Sequence, residues 1–135
     1  LATRALKDVR VGPLDREVGC TALFDAGSGV TGGSAGLLRG GFGARCLALD
    51  KPLRLYWING EFIQADKYAQ ITIIVDGFKL PETALVVGYF VKGVEVEGRR
   101  ARLPELIVGS GTMDKYGIAL DPKEGVKLTG ASLLL

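Results

Sequence analysis

At Asp25 a short apolar run, Ala22-Leu23-Phe24, empties into small residues, Ala26-Gly27-Ser28-Gly29. An acid placed there can serve two chemistries. Gly27, Gly29 and Gly32 fit the G-x-G-x-x-G spacing that lets backbone approach a phosphate, and Asp50 follows at about the distance of a dinucleotide fold's ribose acid. Alternatively, the glycines leave the Asp25 carboxylate exposed at the mouth of a cleft, where it can exchange protons with a substrate. The phosphate reading requires a long helix after the third glycine. Residues 32–43 contain too many glycines for one, and hairpins rather than βαβ units follow Asp50, so a parallel nucleotide fold is disfavoured.

The chain has 135 residues and no histidine. That absence removes Ser-His-Asp and Cys-His catalysis along with histidine metal sites. Cys20 and Cys46 are too few and too far apart for a four-ligand zinc site; they read as buried thiols, with a disulfide as the other option. No metal and no cofactor is expected. A net charge of +2 does not provide the dense basic face of a nucleic-acid-binding domain, and the cluster Arg99, Arg100 and Arg102 reads as a solvated loop. Apolar residues at 47% and charged residues at 24% are globular values. The apolar stretch over residues 84–91 falls well short of the roughly 20 residues that span a bilayer, so neither a membrane nor a nucleic-acid partner is expected. Residues 1–10 lack the apolar core of a signal peptide. The chain reads as soluble. Its location stays open, and its few amides, Asn59, Gln64 and Gln70, fit a thermophilic source.

The elements that must position Asp25 read as short strands. Turn signals recur at Gly12-Pro13, Asn59-Gly60, Asp76-Gly77, Gly98 and Lys123-Glu124-Gly125, with runs rich in Val, Ile, Tyr and Phe between them. Two hairpins stand out, turning at Asn59-Gly60 and Asp76-Gly77, because both dipeptides supply the positive φ that two-residue turns demand. Ala69, Ile71, Ile73 and Val75 fall on one face of a strand, as in a sheet with one buried side. Short helices are expected over residues 34–39, ending at Gly40-Gly41, and over 112–116, ending at Gly117. Asp76 reads as a turn residue, and Asp114 and Asp121 as solvated surface. By size the 135 residues form one domain, mostly antiparallel β.

With these elements in place, residues 22–31, "ALFDAGSGVT", resemble the signature of the retropepsin-like aspartic proteases, in which an apolar strand leads to Asp, Thr or Ser, Gly and a small residue. The resemblance covers nearly the whole chain. Residues 47–64 look like the family's approach to the flap, residues 60–88 like the two strands beyond the flap tip, and residues 103–121 like its second hallmark, with Ile107, Val108 and Gly109 before a short helix. The resemblance implies an all-β fold, a closed barrel with one or two short helices. It also implies a homodimer, because each subunit of the family contributes one catalytic aspartate, here Asp25. The implied activity is endopeptidase cleavage of extended or unfolded polypeptides, with no metal or cofactor.

By the same resemblance, the Gly27 carbonyl accepts a substrate N–H, Ser28 is the small residue beside it, and Ile58, Asn59 and Gly60 form the flap tip. Tyr56, Trp57 and Phe62 would pack on substrate or on the core. Gly109 belongs to the active-site loop region. One position departs from the pattern. Ala26 stands where the family has Thr or Ser, whose hydroxyl makes reciprocal hydrogen bonds across the dimer axis. Losing two such bonds costs a dimer about 1–3 kcal/mol if nothing replaces them. Two classes of function follow: an active aspartic endopeptidase, or a silent peptide-binding or dimerisation module using the same cleft. Asp25 and Gly27 favour the first, and Ala26 the second.

Overall fold

A computed structural model describes residues 5–13, 16–41, 45–56, 60–88, 95–96, 99–100 and 104–129. Strands β1 (Leu6–Gly12) and β2 (Val18–Phe24) pair antiparallel, followed by β3 (Gly32–Ser34), β4 (Cys46–Tyr56), β5 (Phe62–Val75) and β6 (Phe78–Val87). Two-residue strands β7 (Glu95–Val96) and β8 (Arg99–Arg100) form a small ribbon, so Arg99 and Arg100 sit in a strand rather than the expected loop. Arg102 lies outside the described residues. Strand β9 (Leu106–Val108), helix α1 (Ser110–Tyr116) and the hairpin β10 (Ile118–Asp121) with β11 (Gly125–Leu128) complete the order. No helix among the described residues is long and apolar enough to cross a membrane.

The main sheet runs β1-β2-β9-β3-β6-β5, and a further β1–β5 pairing closes it into a six-stranded barrel with β4 attached outside β5. Alternation along β5 decides which face turns inward. Ala69, Ile71, Ile73 and Val75 are buried, and Gln70, between the first two, is exposed. Each large apolar side chain so buried contributes about 1.5–3 kcal/mol. Val9, Val11, Phe24, Leu38, Leu106 and Val108 join this interior. A second, smaller apolar cluster of Ala65, Leu85, Val87 and Ile107 collects Leu23, Val30, Leu55 and Ile63 around it.

The Asp76-Gly77 hairpin forms as expected, with Val75 opposite Phe78 and positive φ at both turn residues. Asp76 also meets Lys7, its Oδ1 lying 3.1 Å from Nζ. The β4–β5 ladder ends with Tyr56 opposite Phe62, and of the turn between them only Gly60 and Glu61 are described. Gly60 takes the expected positive φ of 88°. The β4 register slips between Ala48 and Leu53, where Pro52 has no N–H to give, as suits an edge strand. Cys20 is buried and Cys46 half-buried, both as thiols.

Both short helices occur, one with a shifted geometry. Helix α1 stops at Gly117 with φ 63°, as expected, and begins two residues earlier than the sequence predicted. The other segment, expected as residues 34–39, is a π-helical turn over Gly36–Gly41, starting two residues late. Ser34 remains in β3, and its Oγ accepts a hydrogen bond from the Leu37 N–H at 3.2 Å. The wider winding seats Leu38, fully buried, directly against Gly33, where a Cβ would lie 2.8 Å from Leu38 Cδ1.

Candidate active site

The chain leaves β2 at Phe24 and turns sharply through residues 25–31 before entering β3. Strand β9 lies between β2 and β3, parallel to the first and antiparallel to the second. The Asp25 loop therefore connects two strands that do not touch each other, and it must pass over the end of β9. Asp25 is half-buried there, and Ala26 and Gly27 are exposed at the loop's apex. The Asp25 N–H donates to the Val108 carbonyl at 2.9 Å, and the Ser28 N–H donates back to the Asp25 carbonyl at 3.0 Å, closing a tight turn. The Gly27 N–H donates to Asp25 Oδ1 at 2.9 Å, which fixes the carboxylate's orientation. A Cβ on Gly27 would come within 3.2 Å of that same oxygen.

The far end of the loop is tied to the start of α1. The Ser28 carbonyl accepts the Ser110 N–H at 2.8 Å, and Ser28 Oγ donates to the Val30 carbonyl at 2.8 Å. Thr31 Oγ1 accepts the Gly109 N–H at 3.0 Å and shares a 2.6 Å hydrogen bond with Thr112 Oγ1. Both threonines are buried, at 7% and 3% exposure, so their hydroxyls depend on each other and on that N–H. Gly109 sits against the loop so closely that a Cβ there would lie 2.4 Å from the Val30 carbonyl oxygen.

Of the residues singled out in the sequence, Asp25, Ala26, Gly27, Ser28 and Gly109 come together in this one assembly. Gly60 lies at the end of the β4–β5 hairpin; Trp57, Ile58 and Asn59 lie outside the described residues. Tyr56 and Phe62 are exposed at 63% and 46%, with ring centroids 5.6 Å apart and the Arg54 guanidinium 4.6 Å above the Phe62 ring. They are not core residues of the barrel. The glycines of the G-x-G-x-x-G match do not precede a helix: Gly32 opens β3, and Asp50 is an exposed residue within β4. Thr31, Thr112 and Glu82 were not predicted. A recess of about 270 Å³ beside the loop is lined by Gly29, Val30 and Leu53 and carries Glu82 in its wall.

No family model matches the chain, and no curated protein matches it. Solved structures do. The protease of EIAV, complexed with the inhibitor HBY-793, superposes with a TM-score of 0.52 at 13% identity, over 83% of this chain and 86% of that one. The retroviral protease-like domain of Ddi1 from Leishmania major superposes with a TM-score of 0.54 at 14% identity, over 93% and 89%. Both likenesses cover more than four-fifths of each chain, and the chain accordingly has the retropepsin-like fold.

Proposed function

We propose that the chain is a single domain forming half of a homodimeric aspartic endopeptidase, which hydrolyses peptide bonds in extended or unfolded polypeptides. The observation that carries this reading is the carboxylate of Asp25. It stands half-buried beside the exposed apex of a loop clamped by β9 and α1, with Oδ1 held by the Gly27 N–H at 2.9 Å. One carboxylate per chain completes a dyad only when a two-fold axis brings a second copy alongside. Two adjacent carboxylates share a proton and titrate as a unit. The ionised member draws a proton from a water, which attacks the peptide carbonyl carbon. Its protonated partner donates to the carbonyl oxygen. Collapse of the tetrahedral intermediate returns a proton to the departing amine, and the C–N bond breaks.

An extended substrate suits the surroundings. The carbonyl of exposed Gly27 is free of a side chain that would crowd a peptide, and an extended strand sends alternate side chains into pockets. Leu23, Val30, Leu85 and Ile107 gather in one apolar cluster next to the loop, which favours hydrophobic side chains near the cut. By the resemblance, the segment joining β4 and β5, which in the sequence carries Trp57, Ile58, Asn59 and Gly60, would cover the substrate. The exposed Leu53, Tyr56 and Phe62 of the two strands are apolar area that a bound peptide would shield.

A second reading rests on Ala26: with no hydroxyl at the loop apex, the chain would serve as a peptide-binding or dimerisation module without turnover. Cleavage of an unfolded protein, followed across acidic to neutral pH with and without pepstatin, separates the two. The endopeptidase reading expects cleavage by the wild type that disappears in Asp25→Asn and under inhibitor. Wild-type inactivity restored by Ala26→Thr identifies the missing hydroxyl as what silences the site. Inactivity of both leaves the binding module.

A further inference from the structure

The recess beside the Asp25 loop, at about 270 Å³, lies at the lower edge of the roughly 300–1,000 Å³ of small-molecule sites and has room for one side chain. Its walls come from four places. Gly29, Val30 and Thr31 belong to the loop, Leu53 to β4, and Glu82, Thr83 and Leu85 to β6, with Gly111 and Thr112 at the start of α1 behind them. A peptide lying along the loop passes Gly29, where a Cβ would meet nothing within 4 Å, so the mouth is open on the side that such a peptide occupies.

The lining mixes apolar side chains with Thr31, Thr83 and Thr112 and is charged at one point. Val30, Leu53 and Leu85 offer surface to a methylene stem, and Glu82 is the charged residue among the described lining. Its side chain is only 17% exposed, and its Oε2 is buried without a hydrogen bond from any described residue. Lys115 approaches that oxygen at 3.5 Å, beyond the 2.7–2.9 Å or so of a charge-assisted hydrogen bond. The Lys115 side chain is 54% exposed, and such a pair is worth little to either partner. A carboxylate this buried still needs a donor.

We propose that Glu82 makes this recess a pocket for a basic side chain, so that peptides held in the cleft carry lysine or arginine at one fixed distance from the scissile bond. The inference rests on the peptide-cleft reading above. The stem lies along Val30, Leu53 and Leu85, and the ammonium or guanidinium supplies the donor that Glu82 lacks, while Lys115 turns out to solvent. An acidic side chain is repelled, and a neutral one of the same length brings no charge to pair with the carboxylate.

Sequencing of the products from an unfolded-protein digest tests it. The expected result is enrichment of lysine and arginine at one fixed position in the wild type, reduced about tenfold in Glu82→Gln, as for loss of one charged hydrogen bond. Glu82→Lys turns the preference toward acidic residues, and Lys115→Met, which removes the competing ammonium, sharpens the basic preference. Lys115→Met also serves if a Glu82 variant does not fold. Cleavage with no basic preference, or with one that Glu82→Gln leaves intact, overturns the inference while the endopeptidase reading stands. If the wild type does not cleave, binding of lysine-containing and glutamine-containing versions of one extended peptide to the full chain decides. Tighter binding of the lysine version, lost in Glu82→Gln, supports the pocket, and equal binding overturns it.

Discussion

Asp25 is held chiefly through backbone. Its N–H, its carbonyl and one carboxylate oxygen are each bonded to peptide groups, and the loop beyond it is latched by the Thr31–Thr112 hydroxyl pair and the Gly109 N–H. Glycine at 109 is required by proximity, since a Cβ would stand 2.4 Å from the Val30 carbonyl oxygen and 2.9 Å from that of Ser28. Neither is the end of a flexible side chain, so the loop itself would have to move. Gly109→Ala is expected to cost about 2–4 kcal/mol in a denaturant titration and to abolish cleavage. Asp25, Gly27 and Gly109 could be picked out in the sequence because each sits in a short local pattern. Thr31 and Thr112 could not: they are 81 residues apart, and nothing near either one announces a partner. Glu82 was equally silent, since its place in the recess depends on how β6 lies against the Asp25 loop.

Among the elements, hairpins were the most legible. The buried face of β5 follows the period of two, and Asp76-Gly77 takes the positive φ angles its residues allow. Helical segments were located within two residues, but the π winding of Gly36–Gly41, which accompanies the seating of Leu38 over Gly33, has no signature in the residue types. Asp121, read as a surface residue, also accepts the N–H groups of Lys123 and Glu124 at 2.7 and 2.9 Å and shapes the β10–β11 turn. Helix α1 is tied to β6 by Tyr116, whose hydroxyl donates to the Pro81 carbonyl, and by Lys115 beside Glu82. The Glu82 carboxylate, with Tyr116 contributing, holds the Lys115 ammonium above its ordinary pKa of 10.5. A raised folded-state pKa stabilises the fold below the unfolded value and loses that contribution as pH climbs through the folded one. With Lys115 exposed, the resulting loss of stability above pH 10.5 should be small and should vanish in Lys115→Met, as measured by denaturant midpoints across that range.

The molecule as a whole is closed by the β1–β5 pairing and by the insertion of β9 between β2 and β3, neither of which leaves a mark in local sequence. Strand content and order were readable from turn signals and alternation; ring closure was reachable only through resemblance. In the proposed homodimer, Ala26 is the position that bears on association. Its exposed position at the loop apex is where a threonine hydroxyl would meet a second copy. Ala26→Thr should tighten association by about 1–3 kcal/mol, read by sedimentation and by the protein concentration at which specific activity becomes constant. The place of β9 has a consequence for synthesis as well. Phe24 pairs with Val108, so strands made early must wait for one made late. On the ribosome, Asp25 emerges long before the segment that supports it, and a nascent chain stopped short of Val108 carries the acid without a seat for it. The Asp25 loop cannot take its clamped form until Val108 has left the ribosome.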